Sequence, residues 1–312
     1  MSDYILGIDG GGSKTAVILA RRDGTPLGQG QAGPSNYHAV GEANALQALD
    51  RAVSQAWNTA GMTVQPVAAA VLGMAGVDRP QDSLVFEHWI AKRFPDARVR
   101  LVNDGQIALA AGTPQGWGIV VLSGTGSIIF GQDESGRTAR AGGWGYLMGD
   151  EGSGYQAALA ALQAVAKAFD GRGPATSLTQ RVTAFFKVDS SPDLIAALHQ
   201  PERTRVEIAR LSRLVDEEAL AGDAVAQRII NHAAGELATG VQAVAVQKLH
   251  LDTLPAVLAG GFLVHGVSLQ TALLAQVKAL GITLQPVQTV DEPVRGAVKL
   301  AAKLLEIGDE IE

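Results

Sequence analysis

The chain has 312 residues, with 37 glycines, 12 prolines and no cysteine. Disulfides, thiolate metal sites, iron–sulfur clusters held by thiolates and cysteine nucleophiles are therefore excluded. Lys and Arg number 25 against 31 Asp and Glu, a formal net charge of −6, so the chain lacks the basic character of proteins that bind nucleic acid or anionic membranes.

Hydrophobic residues make up 47% of the chain and charged residues 18%, which is typical of a globular protein. At about 100–200 residues per domain, the length indicates two domains or one large α/β unit. The start Met1–Tyr4 has no basic region of a signal peptide, and no uncharged apolar run reaches the ~20 residues of a membrane helix. We therefore expect a cytoplasmic protein with no membrane partner.

The first third of the chain predicts three strands, a helix, a strand, a helix and a strand. These lie at 4–8, 16–20, 26–30, 39–60, 67–72, 83–93 and 99–102. The glycine-rich turn after Ile8 joins two strands, unlike the dinucleotide-binding turn, which joins a strand to a helix. The predicted unit is of βββαβα type.

The same pattern starts again at residue 118. A strand at 118–122 leads into Ser123-Gly124-Thr125-Gly126-Ser127 and a second strand at 128–130. Helical spacing dominates 154–246, further strands are predicted at 255–259 and 282–287, and a helix closes the chain at 296–305. We therefore predict an α/β protein with two domains, 1–113 and 114–312, a helical insertion in the second, and a final helix able to return to the first. A hinge is expected near 112–116.

The two glycine-rich turns are candidate phosphate sites, because glycine lets backbone N–H groups approach a phosphate without side-chain obstruction. Each alone is equally well explained as a tight hairpin, but their duplication favours phosphate binding, with Ser123 and Ser127 as additional side-chain donors of the second turn. The predicted ATP-binding residues of these turns are Gly11, Gly12, Ser13, Lys14, Thr15, Gly124, Thr125 and Gly126.

Two carboxylates are candidate functional groups in the first domain. Asp104 follows a strand and could accept a proton from a substrate hydroxyl, although a helix-cap Asp is the simpler interpretation of its position. Asp9 could hold Mg²⁺ directly or through water, with an Asx-turn as the alternative.

Six glycines surround Trp144 in the segment 141–154, which predicts a shaped loop whose indole and carboxylates suit a sugar. The alternative is a core Trp followed by an Asp or Glu helix cap. Asn36 could present its amide to a hydroxylated ligand, and Gly260-Gly261 could allow close approach of an adenine or simply begin a helix.

Together, the turns at 8–15 and 122–127, the block Gly142-Gly143-Trp144-Gly145 to Gly149-Asp150-Glu151-Gly152-Ser153, and Gly260-Gly261 resemble the BadF/BadG/BcrA/BcrD ATPase family. Within it, the chain is most similar to N-acetylglucosamine kinases. The resemblance implies two ribonuclease-H-like domains of the actin-like ATPase type, a homodimer, and ATP- and Mg²⁺-dependent phosphorylation of the sugar 6-hydroxyl.

Position by position, the resemblance implies that Asp104 is the catalytic base and that Asp9 takes the metal position. It implies sugar contacts at Asn36, Gly143, Trp144 and Asp150, and nucleotide contacts at Ser13, Thr125, Ala209, Gly260 and Gly261. Gly73-Met74-Ala75-Gly76 lacks a hydroxyl found in some relatives, so glucosamine and other hexoses are alternative substrates. Further alternatives are a nucleotide-dependent sugar sensor and an activator ATPase, but such activators hold an iron–sulfur cluster through cysteines.

Overall fold

The computed structural model describes residues 2–77 and 80–309, and the chain forms two compact units. Unit 1 runs to Trp117 and resumes at Glu292, whereas unit 2 comprises Gly118–Asp291. The junction at residues 117 and 118 lies a few residues beyond the predicted boundary. The closing helix belongs to unit 1, so the chain leaves this unit once and returns to it.

Unit 1 contains one five-stranded sheet and five helices along its described residues. In chain order, these elements are β1 (Tyr4–Gly10), β2 (Thr15–Arg21), β3 (Pro26–Ala32), α1 (Tyr37–Val40), α2 (Glu42–Thr59), β4 (Ala69–Met74), α3 (Pro80–Arg93), β5 (Arg98–Asn103), α4 (Asp104–Gly112) and, at the end of the chain, α13 (Val294–Asp309). The sheet order is β3-β2-β1-β4-β5. Strands β1, β4 and β5 are parallel, while β2 runs antiparallel to β1 and β3.

Neighbouring residues of a strand point to opposite faces of the sheet, so the apolar residues of this sheet lie on both faces. A layer of helices covers each face. Leu6 packs into a core with Trp57 of α2 and Phe86 of α3. Ile5, its neighbour, packs into a second core with Val298 of α13. Strand β1 is the central strand and is buried on both faces, so its C-terminal end is held rigidly.

Unit 2 contains the second five-stranded sheet and a large helical insertion. Its elements are β6 (Gly118–Ser123), β7 (Ser127–Gln132), β8 (Thr138–Gly142), α5 (Gly154–Phe169), α6 (Leu178–Phe186), α7 (Leu194–Leu198), α8 (Arg205–Ala209), α9 (Leu211–Leu220), α10 (Ala224–Gln242), a π-helical segment (Ala243–Lys248), β9 (Thr253–Ala259), α11 (Gly261–His265), α12 (Val267–Ala279) and β10 (Thr283–Val290). The sheet order is β10-β9-β6-β7-β8.

Read from the other edge, the second sheet repeats the order of the first. An antiparallel trio of strands is followed by two parallel strands in both sheets. This repetition confirms the predicted α/β fold with two βββαβα halves and a helical insertion in the second. The predicted helix at 206–220 is wrong in one detail, because it is divided into α8 and α9 at Arg210. Along the described residues, no helix is long and apolar enough to cross a membrane.

Candidate functional site

The first glycine-rich turn connects β1 to β2 and is open on its outer side. The Gly11 N–H donates to the Lys14 carbonyl oxygen at 3.0 Å, which closes the turn. No atom lies within 4 Å of the position that a Cβ on Gly12 would occupy. Ser13 and Lys14 are exposed. The turn therefore has space beside Gly12 and exposed residues at 13 and 14, as a phosphate-binding turn requires.

Thr15 lies behind this turn, and its hydroxyl bonds within the chain. It is fully buried. Its Oγ1 donates to the Gly33 carbonyl oxygen at 2.8 Å and lies 2.9 Å from Ser35 Oγ. The Thr15 hydroxyl therefore ties the segment 33–35 to the turn, and a contact of Thr15 with ATP stays a prediction.

Asn36 is attached directly to the same turn. The Gly11 carbonyl oxygen accepts from the N–H groups of Ser35 and Asn36 at 3.1 and 3.3 Å. Asn36 Oδ1 accepts from the His38 N–H at 3.1 Å and so caps α1. The structure therefore brings the predicted sugar contact and the first predicted phosphate turn into one hydrogen-bonded assembly.

Asp9 and Asp104 lie at the carboxyl edge of the sheet in unit 1. Asp9 is next to the last residue of β1, and Asp104 is the first residue of α4, immediately after β5. The strand between them is β4, which is parallel to both. The Asn103 side chain caps α4 by accepting from the Gly105 N–H at 2.7 Å. The N-cap of α4 is therefore Asn103, and Asp104 is the first residue inside the helix.

Burial, and after it the negative charge of Asp104, raise the pKa of Asp9 from 3.8 to about 7, while the Lys14 ammonium opposes the rise. The two carboxylates thus interact electrostatically at an edge where ligands of parallel sheets collect. Among the described residues, no cluster of three or more His, Cys, Asp or Glu side chains is arranged to hold a metal. A pair of carboxylates fits Mg²⁺, which in phosphoryl-transfer sites takes one or two carboxylates together with phosphate oxygens.

The second glycine-rich turn connects β6 to β7 and is closed by a hydrogen bond from the Gly124 N–H to the Gly126 carbonyl oxygen at 2.9 Å. Both serines of this turn face inward. Ser123 Oγ donates to the Gly152 carbonyl oxygen and Ser127 Oγ to the Glu151 carbonyl oxygen, each at 2.7 Å. Their hydroxyls therefore bind the loop at 150–152 to the turn, and their part in phosphate binding stays a prediction.

Asp150 lies against the second glycine-rich turn. Its Oδ1 accepts from the Ser127 N–H at 3.3 Å, and the carboxylate is 3.0 Å from the position of a Cβ on Gly126. Burial raises the pKa of Asp150, while the bond from Ser127 and the charge of Arg205 oppose the rise. Asp150 also has a φ of 60°, a left-handed conformation that a non-glycine residue adopts at a cost. A buried Asp with a raised pKa and a strained backbone, beside a glycine-rich turn, is typical of a functional position.

Trp144 lies on a surface loop and not in the core, so the alternative of a core Trp is wrong. It is 55% exposed, and the following Leu147 and Met148 are also exposed. The loop is anchored by the Gly143 N–H, which donates to the Ser127 carbonyl oxygen at 3.1 Å. The cap of α5 is Ser153, whose Oγ accepts from the Gln156 N–H, and neither Asp150 nor Glu151 takes that role. More than half of the Trp144 surface is therefore exposed, and the Arg140 guanidinium lies over the indole ring.

Gly260-Gly261 lies against the second glycine-rich turn. Gly260 has a φ of 86°, and a Cβ there would come within 2.5 Å of the Ser123 backbone. Gly261 begins α11, and the position of a Cβ on Gly124 is 3.6 Å from its nitrogen. The predicted adenosine turn and the second phosphate turn are thus neighbours in unit 2. Ala209 is buried at the end of α8, so its part in nucleotide binding stays a prediction.

Sequence reasoning missed Tyr37, His38 and Asp82, which contact one another beside Asn36. Tyr37 and His38 directly follow Asn36, and Asp82 lies in the first turn of α3. An acidic residue soon after a proline is an ordinary helix start, so the sequence contains no signal for the long-range contact.

Comparison with known proteins gives consistent results along the chain. The family profile for the BadF/BadG/BcrA/BcrD ATPase family matches residues 6–301. The N-acetylmuramic acid/N-acetylglucosamine kinase of Clostridium acetobutylicum is 39% identical over 260 residues, which cover 83% of this chain and 85% of that protein. The N-acetyl-D-glucosamine kinase of Dictyostelium discoideum is 34% identical over 313 residues, covering 96% and 98%.

A solved structure shows the same architecture. The crystal structure of a protein from Chromobacterium violaceum, assigned as an N-acetylglucosamine kinase, superposes with a TM-score of 0.77 at 30% identity and covers 96% of this chain and 99% of that one. Sequence profile, relatives and structure thus agree over nearly the full length. The chain belongs to the BadF/BadG/BcrA/BcrD ATPase family.

Proposed function

We propose that this chain is an ATP-dependent kinase that phosphorylates the 6-hydroxyl of N-acetylglucosamine, giving the sugar 6-phosphate and ADP. Family membership supports the use of ATP. Two relatives above 30% identity are named as kinases of N-acetylated amino sugars, and both align with most of this chain.

The observation that carries the proposal is the arrangement in unit 1 of Asp104, Asp9 and the glycine-rich turn that holds Asn36. The turn is suited to phosphate, Asn36 to sugar hydroxyls, and the paired carboxylates to a metal and a proton. A kinase needs all of these in one place, because phosphoryl transfer depends almost entirely on positioning and electrostatics.

Asp104 would accept the proton of the 6-hydroxyl as that oxygen attacks the γ-phosphorus. Asp104 is the first residue of α4, and the N-terminus of a helix carries partial positive charge. Asp9 would hold Mg²⁺. When bound, that ion would neutralise phosphate charge during transfer. Backbone N–H groups of the glycine-rich turns would bind the phosphate oxygens, which suits a chain with a net charge of −6.

A coupled assay of ADP release tests this proposal. Purified protein is given ATP and Mg²⁺ with N-acetylglucosamine, glucosamine, glucose, N-acetylmannosamine or no sugar. We expect the largest kcat/KM with N-acetylglucosamine and little hydrolysis without sugar. Preference for glucosamine or glucose would replace the proposed substrate, whereas ADP release that ignores the sugar would refute a sugar kinase.

A second candidate substrate is N-acetylmuramic acid, which carries a carboxylate on a lactyl ether. Two guanidinium groups flank the exposed aromatic loop of unit 2. Arg140 lies 5.3 Å from the Trp144 ring centroid, and Arg205 lies 4.1 Å from that of Tyr146. Either could meet a carboxylate beside a sugar stacked on Trp144. Adding N-acetylmuramic acid to the assay, with Arg205→Gln and Arg140→Gln as variants, tests this candidate.

Two alternative functions predict different results in the same assay. An activator ATPase of this family would need cysteines for its iron–sulfur cluster, and the chain has none. A sugar sensor would bind ATP and sugar without turnover, which calorimetry combined with the ADP assay detects. A cytoplasmic location and a homodimer stay predictions from the sequence.

A further inference from the structure

A buried carboxylate that the proposed reaction does not use lies behind Asn36. The Asp82 side chain is almost fully buried. The Tyr37 hydroxyl donates to its Oδ1 at 2.5 Å, and His38 Nε2 is 3.5 Å from the same oxygen. Both ring-bearing residues directly follow Asn36 in the chain.

This contact joins two helices that are distant in sequence. Helix α1 has only four residues, which is too short to hold its own conformation. The Tyr37 ring also packs edge-on against Phe86 of α3, with the ring centroids 6.0 Å apart, and stacks on His38 at 4.0 Å. Asp82 and Phe86 thus attach α1 to α3, and Asn36 caps the attached helix.

The loop before α3 touches Asn36 from another direction. Gly76 has a φ of 81°, and a Cβ there would lie 3.1 Å from His38 Cδ2 and 3.3 Å from Asn36 Oδ1. The Ala75 N–H donates to the Gly10 carbonyl oxygen at 2.9 Å, which fixes this loop to the first glycine-rich turn. Gly11 therefore holds the Asn36 backbone N–H, Gly76 lies beside the Asn36 side-chain amide, and the two residues that follow Asn36 contact Asp82.

We propose that Asp82 is a positioning residue for sugar binding: by holding Tyr37 and His38, it fixes the Asn36 amide in the orientation that receives the sugar. This inference rests on the proposed function, in which Asn36 binds the sugar. Asp82 acts through Asn36 and not on the reacting atoms. Its loss should therefore weaken sugar binding while the chemical step and the nucleotide affinity stay nearly unchanged.

The test compares Asp82→Ala, Asp82→Asn and Tyr37→Phe with the wild type in the ADP-release assay. Loss of a hydrogen bond to a charged group corresponds to about a 10- to 100-fold effect, so Asp82→Ala should raise the sugar KM by that factor. We expect kcat and the KM for ATP to change by less than about threefold. Asp82→Asn keeps an acceptor for the Tyr37 hydroxyl and should recover most of the sugar affinity.

A matched control is Asp50→Asn. Asp50 Oδ1 accepts from Trp89 Nε1 at 3.1 Å, so it is also a carboxylate of unit 1 that accepts from an aromatic residue of α3, but it lies away from Asn36. This variant should keep wild-type kinetics. If Asp82→Ala lowers kcat at constant sugar KM, or raises the KM values for sugar and ATP together, Asp82 has no positioning role toward the sugar.

Amide hydrogen exchange separates this inference from the proposed function. With Asp82 removed, exchange should rise at residues 36–41 and 75–77, while the sheet core stays protected. If wild-type protein phosphorylates no sugar, the proposed function fails, and the exchange result alone decides whether Asp82 positions Asn36. Unchanged exchange at these residues would overturn the positioning role. Should Asp82→Ala fail to fold, Tyr37→Phe provides the same kinetic and exchange comparisons.

Discussion

Replacing Asp9 by Asn should stabilise the protein when neither nucleotide nor Mg²⁺ is present. The pKa of Asp9 is about 7 in the folded chain and 3.8 for an ordinary Asp. When the pKa of an acid is higher in the folded than in the unfolded chain, the acid favours folding at pH values below its unfolded-state pKa. This contribution is lost as the pH rises through the folded-state pKa. For Asp9, stability should fall between about pH 4 and pH 7.

The magnitude follows from the size of the pKa rise. Since one pKa unit corresponds to ~1.36 kcal/mol, full ionisation of Asp9 in the folded state would cost about 4 kcal/mol. Asp9 is only partly enclosed, and solvent screening reduces this cost, so we expect about 2 kcal/mol at pH 8. Asn has the same shape without the charge. Asp9→Asn should therefore gain ~2 kcal/mol at pH 8 and close to nothing at pH 4.

Thermal unfolding at pH 4, 6 and 8 measures this effect. At roughly 2–4 °C per kcal/mol, Asp9→Asn should raise Tm by about 4–8 °C at pH 8. Saturating ADP with Mg²⁺ should reverse the order, because the wild type regains a metal ligand that the variant lacks. Asp104→Asn removes the second cause of the raised pKa and should reduce the pH effect without abolishing it.

A surface variant, Asp96→Asn, removes a negative charge at an exposed position of unit 1 and should stay within about 0.5 kcal/mol of the wild type. The reasoning is refuted if Asp9→Asn is less stable than the wild type at pH 8 without ligands. It is also refuted if the difference between the two proteins is the same at pH 4 and pH 8, because burial of an ionisable group would then not be its cause.

Three further outcomes test the assignment of the site. Asp104→Asn should lower kcat by about 10²–10⁴-fold with ATP affinity retained, measured by ADP release and calorimetry. Because Trp144 is 55% exposed, Trp144→Ala should leave Tm unchanged while raising the sugar KM. A Cβ at Gly12 has free space, so Gly12→Ala should keep the wild-type Tm and weaken only ATP binding. A Cβ at Gly260 would clash with the Ser123 backbone, so Gly260→Ala should weaken ATP binding and also lower Tm.

Local patterns sufficed to predict most elements of the two sheets. Buried strands such as β1 and β6 are short apolar runs that end in glycine-rich turns, and such signals depend only on neighbouring residues. The repetition of strand, turn and strand predicted the duplicated topology for the same reason. Strand β8, with no residue fully buried, lacks a strong apolar signal and was not predicted.

Side-chain directions at the site were harder to predict. Thr15, Ser123 and Ser127 lie in or beside glycine-rich turns, and a hydroxyl there can face either a ligand or the chain. In the structure, all three hydroxyls donate to backbone oxygens of other segments and so hold those segments in place. No local pattern distinguishes these outcomes, because the partners are tens of residues away.

The sequence by itself determined the class of this protein: an α/β chain without cysteine, with two glycine-rich turns and a Trp144 loop, all readable from neighbouring residues. Only the tertiary structure decided which groups meet. It placed Asp9 beside Asp104, Asp150 against the second turn and Asp82 behind Asn36. The physical reason is that strand pairing and helix packing join residues far apart in the chain, and the electrostatics of a site depends on those distances.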